Sequence, residues 1–350
     1  MLYKTINPHG GDVYKEPIRL DYSANTNPFG TPEGVKKAIC GMIDKMYHYP
    51  DPYCRELVEK IAETENIPSD YILCGNGAAE LIYSYFEAAL PKKVAETAPT
   101  FSEYSAAAEN AGSTVVRYYL SKDNDFELDG GILDFLAKEK PDVLAICNPN
   151  NPTGRLAKPL LMENILLYCH QNNIRLFVDE CFLDLTENGD SMKRYLSSFS
   201  NLFILKAFTK NYGMAGIRLG YCMCGDTTLL KKMSQKVQPW NVSSFAQKAG
   251  VAALSEHHFL EEARKYIINE RKWLLESLKK FEFFVCPSDA NYLLFYGKED
   301  LDVLLMKKGI SVRNCSNYYG LGSGWFRIAV RTREENEKLI CAIKSICEKV

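Results

Sequence analysis

Lys210 is the residue whose setting first singles it out for chemistry. It follows Thr209 and precedes Gly213, Gly216 and Arg218, in a stretch with little compensating acid. A lysine whose ammonium is destabilised by a nearby guanidinium and by partial burial becomes a usable amine nucleophile, able to form a Schiff base with a carbonyl. Taken alone, such a lysine is a surface residue in a glycine-rich loop, so its neighbours decide the reading. Asp179 ends the apolar run Arg175 to Val178, where an acid at a strand's carboxyl end could keep a pyridinium nitrogen protonated. Asn148-Pro149-Asn150-Asn151-Pro152-Thr153-Gly154 follows the run Val143 to Cys147, and its prolines and glycine fix an irregular turn presenting the Asn151 amide. Gly75-Asn76-Gly77-Ala78-Ala79-Glu80 opens an apolar helix, leaving backbone N–H groups and a positive helix end to hold a phosphate. A phosphate cradle, an amide, a carboxylate and a lysine flanked by Thr and Arg together meet the needs of pyridoxal phosphate.

Two readings compete. Gly75 and Gly77 have the separation of a dinucleotide-binding turn, and Glu96 stands about 20 residues on, where a ribose-binding acid belongs. Glu80, however, replaces the third glycine, and a lone GxG is a weak signal. A catalytically silent binding module on the same fold is the other alternative, and the intact Lys210, Asp179 and Arg218 speak against it.

The elements that position these residues follow from the hydrophobic pattern. From about residue 55 to 225, helical stretches alternate with β-rich runs: Tyr71 to Cys74, Val94 to Glu96, Thr114 to Tyr119, Val143 to Cys147, Arg175 to Val178, Leu202 to Leu205 and Leu219 to Met223. Such alternation predicts an α/β domain with a mostly parallel sheet. After Pro239 a long helical region is expected from Phe245 to Phe281, with Ala253, Leu260, Ile267, Leu274 and Leu278 on one face. Strand-like Asn291 to Phe295, Ile310 to Arg313 and Phe326 to Val330, then a closing helix, suit a smaller α+β domain on which the first thirty residues pack. The expected division is residues 30–243 for the large domain, with 1–29 and 244–350 forming an N-terminal arm and small domain.

Composition narrows the partners. With 42 Lys plus Arg against 44 Asp plus Glu, the chain lacks the net basic field that holds nucleic acid or an anionic membrane. No apolar run reaches membrane-spanning length, and Met1-Leu2-Tyr3-Lys4 leads into polar residues, so a cytoplasmic protein is expected. The 12 cysteines read as reduced, mostly buried thiols. The closest pair, Cys222 and Cys224, is expected to point to opposite sides of a strand, and no metal site is expected.

The order Gly77-Ala78-Ala79, Pro99-Thr100-Phe101, Asn151-Pro152-x-Gly154, Asp179-Glu180-x-Phe182, Thr209-Lys210 and Gly216-x-Arg218-x-Gly220 resembles the fold type I, class I/II aminotransferase superfamily over nearly the whole chain. The resemblance implies Lys210 as the lysine that carries the cofactor, Asp179 on the ring nitrogen, Phe101 stacked on the ring and Asn151 near the ring oxygen. It also implies Gly77, Ala78, Ala79, Thr209 and Arg218 at the phosphate, and a homodimer in which Tyr49, from His48-Tyr49-Pro50-Asp51, reaches the partner's phosphate.

Within the superfamily the chain is similar to the histidinol-phosphate aminotransferases and the threonine-phosphate decarboxylases, both acting on small phosphorylated substrates. His9-Gly10-Gly11, the stretch Asp21 to Pro28, and Arg313-Asn314-Cys315-Ser316-Asn317 leading to Phe326-Arg327-Ile328-Ala329-Val330-Arg331 favour the decarboxylases of the cobalamin-biosynthesis type. By that likeness Arg327 binds the substrate carboxylate, Asn25 and Asn151 lie near the substrate, and Arg313 and His9 meet its phosphate. Phe182 departs from the aminotransferases, which place a tyrosine there to hydrogen-bond the cofactor oxygen.

Overall fold

The computed structural model describes residues 9–14 and 17–348; the polar start at Met1 to Lys4 lies outside them. A short strand β1 (Leu20–Asp21) precedes the seven strands of the main sheet: β2 (Ile72–Gly75), β3 (Lys93–Ala98), β4 (Thr114–Tyr119), β5 (Val143–Cys147), β6 (Arg175–Asp179), β7 (Leu202–Ala207) and β8 (Gly220–Cys224). Their order across the sheet is β2-β8-β7-β6-β5-β3-β4. All the pairings are parallel except those of β8, which runs antiparallel to both β2 and β7.

Both faces of this sheet are covered, which is why its central strands are apolar throughout rather than alternating. Leu176 and Val178 of β6 face one core with Leu57 and Ile61 from the helix Arg55–Glu65 and Met162 and Ile165 from Pro159–Gln171. Phe177 between them faces the other core, with Tyr85 and Phe86 from Ala78–Ala89 and Tyr104 from Glu103–Asn110. Cys222 and Cys224 both belong to this second core. The expectation that they diverge is corrected: side chains two apart on a strand share a face. All twelve cysteines are free thiols and nine are buried.

A second sheet follows, with β9 (Phe284–Val285), β10 (Tyr292–Tyr296), β12 (Arg313–Asn314) and β13 (Trp325–Ala329) in the antiparallel order β12-β13-β10-β9. Between β10 and β12, β11 (Ile310–Ser311) pairs with β1, which ties the N-terminal arm to this part of the molecule. Tyr22 is fully buried there, its OH donating to Asn336 at 3.2 Å. The closing helix Arg333–Cys347 begins with a capping box, Thr332 and Glu335 each bonding the other's backbone.

The expected helical region over 245–281 is two helices, Ser244–Ala253 and His257–Lys279. The break lets each piece serve a different core. Ala246, Ala249 and Ala253 pack beside the main sheet, whereas Ala263, Ile267, Leu274 and Leu278 pack on the small one. Burying a Leu or Ile contributes roughly 1.5–3 kcal/mol, so losing the few helical hydrogen bonds at 254–256 is offset by one well-placed side chain.

Candidate active site

The strand register gathers the chemistry at one edge. Cys147 pairs with Asp179 and Asp179 with Leu205, so β5, β6 and β7 end side by side. Gly220, the first residue of β8, lies opposite both Ala207 and Gly75. Because β8 runs antiparallel, it starts where its neighbours end, and Arg218 just before it arrives at the same edge. A cavity of about 220 Å³ opens there, lined by every residue that the family resemblance assigns to cofactor or substrate except Gly77 and Tyr49.

The floor is an anion cradle. Gly77 precedes the helix Ala78–Ala89 with φ +83° and no side-chain cap, leaving the first N–H groups of that helix to the cavity. A Cβ on Gly77 would meet the Arg218 guanidinium at 2.8 Å, and one on Gly220 would meet the Ala78 nitrogen at 2.7 Å. Only glycine lets backbone and guanidinium approach so closely. Arg218 holds φ +60°, a strained value for a residue with a side chain, and its Nη1 is steered by the Ala215 carbonyl at 3.1 Å. Thr209 completes this side of the cavity.

Asp179 lines the same cavity and is 5% exposed. Its Oδ2 accepts the Tyr104 hydroxyl at 2.5 Å and its Oδ1 the Cys181 N–H at 2.9 Å. Burial pushes its carboxyl above the usual range, although the bonds from Cys181 and Tyr104 and the charge of Lys210 pull it back. A protonated ring nitrogen is the partner such a carboxylate lacks among these groups, and Phe101 flanks the intervening space, 5.7 Å from the Tyr104 ring. A flat aromatic cation with a phosphate tail therefore fits the donor set.

The substrate side is built by arginines. Arg313 and Arg327 are direct cross-strand partners on β12 and β13. Arg327 is buried, donating to the Asn151 Oδ1 and to the Ser23 carbonyl at 2.8 Å, while its Nε is buried without a partner. Since Oδ1 of Asn151 is engaged there and by Tyr318, 3.5 Å away, its NH2 is the end left to donate into the cavity. Asn25, 2% exposed, leaves its buried Oδ1 without a partner. Arg313 Nη2 donates to Asn317 at 2.8 Å, and His9 bonds Glu103 at 2.7 Å beside the Phe101 ring.

Lys210 also lines the cavity. Burial and then the charges of Arg327 and Arg218 pull its pKa down to about 8, against the opposing influence of Cys181 and Asp179. Its Nζ lies 5.6 Å from the Phe182 ring centre. Across β7 a second, polar cavity of about 380 Å³ contains Lys206, bonded to Glu65 at 3.0 Å and Asp184 at 2.9 Å. Burial opposes the Lys206 charge, but Asp184, Tyr221, Glu65 and Glu180 together hold its pKa well above the ordinary lysine value.

Tyr49, expected at the partner's phosphate, lies outside the cavity of its own chain, 79% exposed and stacked on Trp240 at 4.6 Å. Two readings of the glycine stretches are corrected. Gly213 serves the arm, since a Cβ there would meet Gly30 backbone at 2.6 Å. The dinucleotide reading fails on topology: β2 adjoins β8, while β3 lies between β5 and β4. Glu96 is mid-strand, bonded to Arg117 at 2.8 Å rather than facing a ligand crevice. The sequence reading missed Tyr104, Tyr318 and the Ser23 carbonyl. Tyr104 sits one turn past Phe101, and Tyr318 directly follows the Arg313 to Asn317 stretch.

The family described as aminotransferase class I and II matches residues 17–343. The chain is 32% identical over 350 residues to a threonine-phosphate decarboxylase of Salmonella typhimurium, covering 97% of this chain and 96% of that protein. It is 34% identical over 353 residues to a histidinol-phosphate aminotransferase of Desulfitobacterium hafniense, covering 98% and 95%. Among solved structures, the histidinol-phosphate aminotransferase of Clostridium acetobutylicum superposes with a TM-score of 0.88 at 30% identity, over 95% of this chain and 100% of that one.

Proposed function

The chain belongs to the aminotransferase class I and II family, and from that premise we propose that it decarboxylates a phosphorylated amino acid, L-threonine O-3-phosphate or O-phosphoserine, in the manner of the cobalamin-biosynthesis enzymes. The cofactor is pyridoxal 5'-phosphate, which when bound supplies an electrophilic carbon and an electron-withdrawing ring. The observation that carries the substrate reading is the pairing of Arg313 with Arg327. Directly opposed side chains lie within about 5.5 Å at Cβ, so two guanidinium groups share one wall of a small cavity. Two adjacent like charges are stabilised by a ligand with two anions, and a phospho-amino acid brings a carboxylate and a phosphate.

In this reading the N–H groups of Ala78 and Ala79, the Thr209 hydroxyl and Arg218 hold the cofactor phosphate. Asp179 holds the proton on the ring nitrogen, Phe101 lies against the ring, and the Asn151 NH2 donates to the ring oxygen. Arg327 holds the substrate carboxylate and Arg313 with His9 its phosphate, Asn25 lying alongside. Lys210, with its pKa drawn to about 8, returns a proton to the substrate Cα once carbon dioxide has left. Tyr49, outside its own cavity, reaches the cradle of a second copy in a homodimer.

The second reading is a histidinol-phosphate aminotransferase using 2-oxoglutarate and glutamate, favoured by the Desulfitobacterium relative. Lys210 would then move a proton from Cα to the cofactor, and Arg327 would take the keto-acid carboxylate. Carbon dioxide release from O-phosphothreonine and O-phosphoserine, measured beside amino transfer from histidinol phosphate, separates the two. Decarboxylation is expected to dominate and to fall by roughly thirtyfold to several thousandfold in Arg327→Ala, the cost of truncating one partner of a buried charge pair. No carbon dioxide from either phospho-amino acid, with amino transfer from histidinol phosphate, makes the second reading the correct one.

A further inference from the structure

Arg117 lies on β4, at the edge of the main sheet and outside the catalytic cavity. Its Nε donates to the buried Glu96 at 2.8 Å, and Glu109 lies 3.9 Å from its Nη2, so the guanidinium plane is fixed from below. Above it sits Tyr319, with the guanidinium carbon 3.6 Å from the ring centre. Tyr319 belongs to the loop joining β12 to β13, which is part of the small sheet. The next residue, Gly320, has φ +84° and fits closely, since a Cβ there would meet Tyr119 at 3.3 Å and the Ala98 carbonyl at 3.7 Å. One loop of the small sheet is thereby moored to the edge of the large one.

The residue before the mooring faces the other way. Tyr318 is 8% exposed, lines the cavity, approaches Asn151 Oδ1 at 3.5 Å and packs its ring 5.1 Å from the Arg313 guanidinium. The loop also contains Gly322, where a Cβ would meet nothing within 4 Å, while Gly324 at its far end is held by the Gly297 N–H donating to its carbonyl at 2.9 Å. Its turn bonds, Tyr318 N–H to the Cys315 carbonyl at 3.1 Å and Leu321 N–H to the Tyr318 carbonyl at 3.1 Å, shape the loop without fixing it to the large sheet.

We infer that Arg117 is a positioning residue for the substrate: by stacking on Tyr319 it holds the loop so that Tyr318, and Arg313 packed on it, form the phosphate end of the cavity. The effect on substrate rests on the reading that Arg313 meets the substrate phosphate. The stacking contact itself does not.

Tyr319 is 53% exposed, so removing its ring tests the contact without threatening the fold. In the holoenzyme, Tyr319→Ala should speed amide hydrogen exchange across residues 314–325 and raise KM for O-phosphothreonine by about three- to thirtyfold, with kcat within about twofold. Tyr319→Phe keeps the ring and should behave as the natural protein. Arg117→Met, which also strands the buried Glu96 carboxylate and should lower the urea midpoint, should raise KM as Tyr319→Ala does, and adding Tyr319→Ala to it should raise KM no further. Unchanged exchange in Tyr319→Ala, or faster exchange with unchanged KM, overturns the inference. If O-phosphothreonine is not turned over, the proposed function fails while the exchange arm still decides the mooring, and the KM comparison is then read on histidinol phosphate, where an unchanged value also overturns it.

Discussion

Lys206 and Lys210 stand four residues apart, both enclosed by protein, and the molecule treats them in opposite ways. Lys206 points across β7 into a ring of acids, and its charge is held on. Lys210 faces two arginines, and its charge is loosened until its pKa is about 8. Burial disfavours both ammonium groups; the company each keeps decides the sign. A buried lysine is thus a nucleophile or a structural cation according to its neighbours, and only three residues of chain separate the two.

The contrast can be broken most severely at Lys210 itself. Borohydride reduction of the holoenzyme should fix the cofactor to the peptide containing Lys210, and Lys210→Ala should lose the trapped adduct and at least about 10²–10⁴ in rate. An adduct on Lys206 found by mass spectrometry would reverse the assignment. Next in size is Lys206→Met, which leaves Asp184 and Glu65 short of their shared cation. Breaking a buried ion pair from one side costs about 3–5 kcal/mol, read as a lower urea midpoint, with the Lys210 adduct still forming. A variant as stable as the natural protein would show that the acidic ring does not depend on Lys206.

A smaller effect is expected at Tyr104. Removing its hydroxyl takes one hydrogen bond from a buried carboxylate, worth about 1.5–3 kcal/mol. Tyr104→Phe should weaken cofactor retention in dialysis and shift the pH dependence of the bound cofactor's absorbance, and it should leave Lys206 untouched. An unshifted profile would reduce Tyr104 to a packing residue. The last test is a pH slope in the cofactor-free protein. The pKa of Lys210 is lower folded than unfolded, so the native state binds fewer protons between about pH 8 and 10.5 and stability rises with pH there. Lys206, raised above 10.5, contributes fully below that value and loses its contribution only at higher pH. Lys210→Met should therefore gain stability at pH 7 and lose that gain toward pH 10, whereas the deficit of Lys206→Met should stay level over the same range. Parallel curves in urea titrations would contradict the distinction.

Much of this was legible in the residues. The apolar runs Val143 to Cys147, Arg175 to Val178 and Leu202 to Leu205 lie in almost wholly buried strands, so their ends could be read off to within two residues, and with them the positions of Asn151, Asp179 and Lys210. Glycine at 75 and 77 marked the cradle because close approach and positive φ leave few other residues possible. What stayed hidden depends on how elements meet. Tyr104 is one aromatic on a helix otherwise rich in alanine, and nothing local tells which strand end its hydroxyl reaches. The break at 254–256 has no proline or glycine to announce it, since its cause is the competition of two cores for one apolar stripe. Tyr318 and Tyr319 read as a simple pair, although their rings serve opposite sides of a loop.

The antiparallel strand β8 has a consequence for the order in which the molecule becomes competent. When the chain has been made as far as β7, the row of strand ends is present, but β2 has no neighbour, because only β8 joins it to β7. The two halves of the cradle, residues 75–79 and 209–218, are held together by the strand of this sheet that comes last along the chain. Contacts so distant in sequence form late. A ligand that grips both halves binds only the closed sheet and so stabilises it by mass action. Capture of the phosphate would then act as an inspection step: a chain cut before residue 220 would fold much of its sheet and hold nothing, and the first molecule able to retain the ligand would be one whose main sheet is complete.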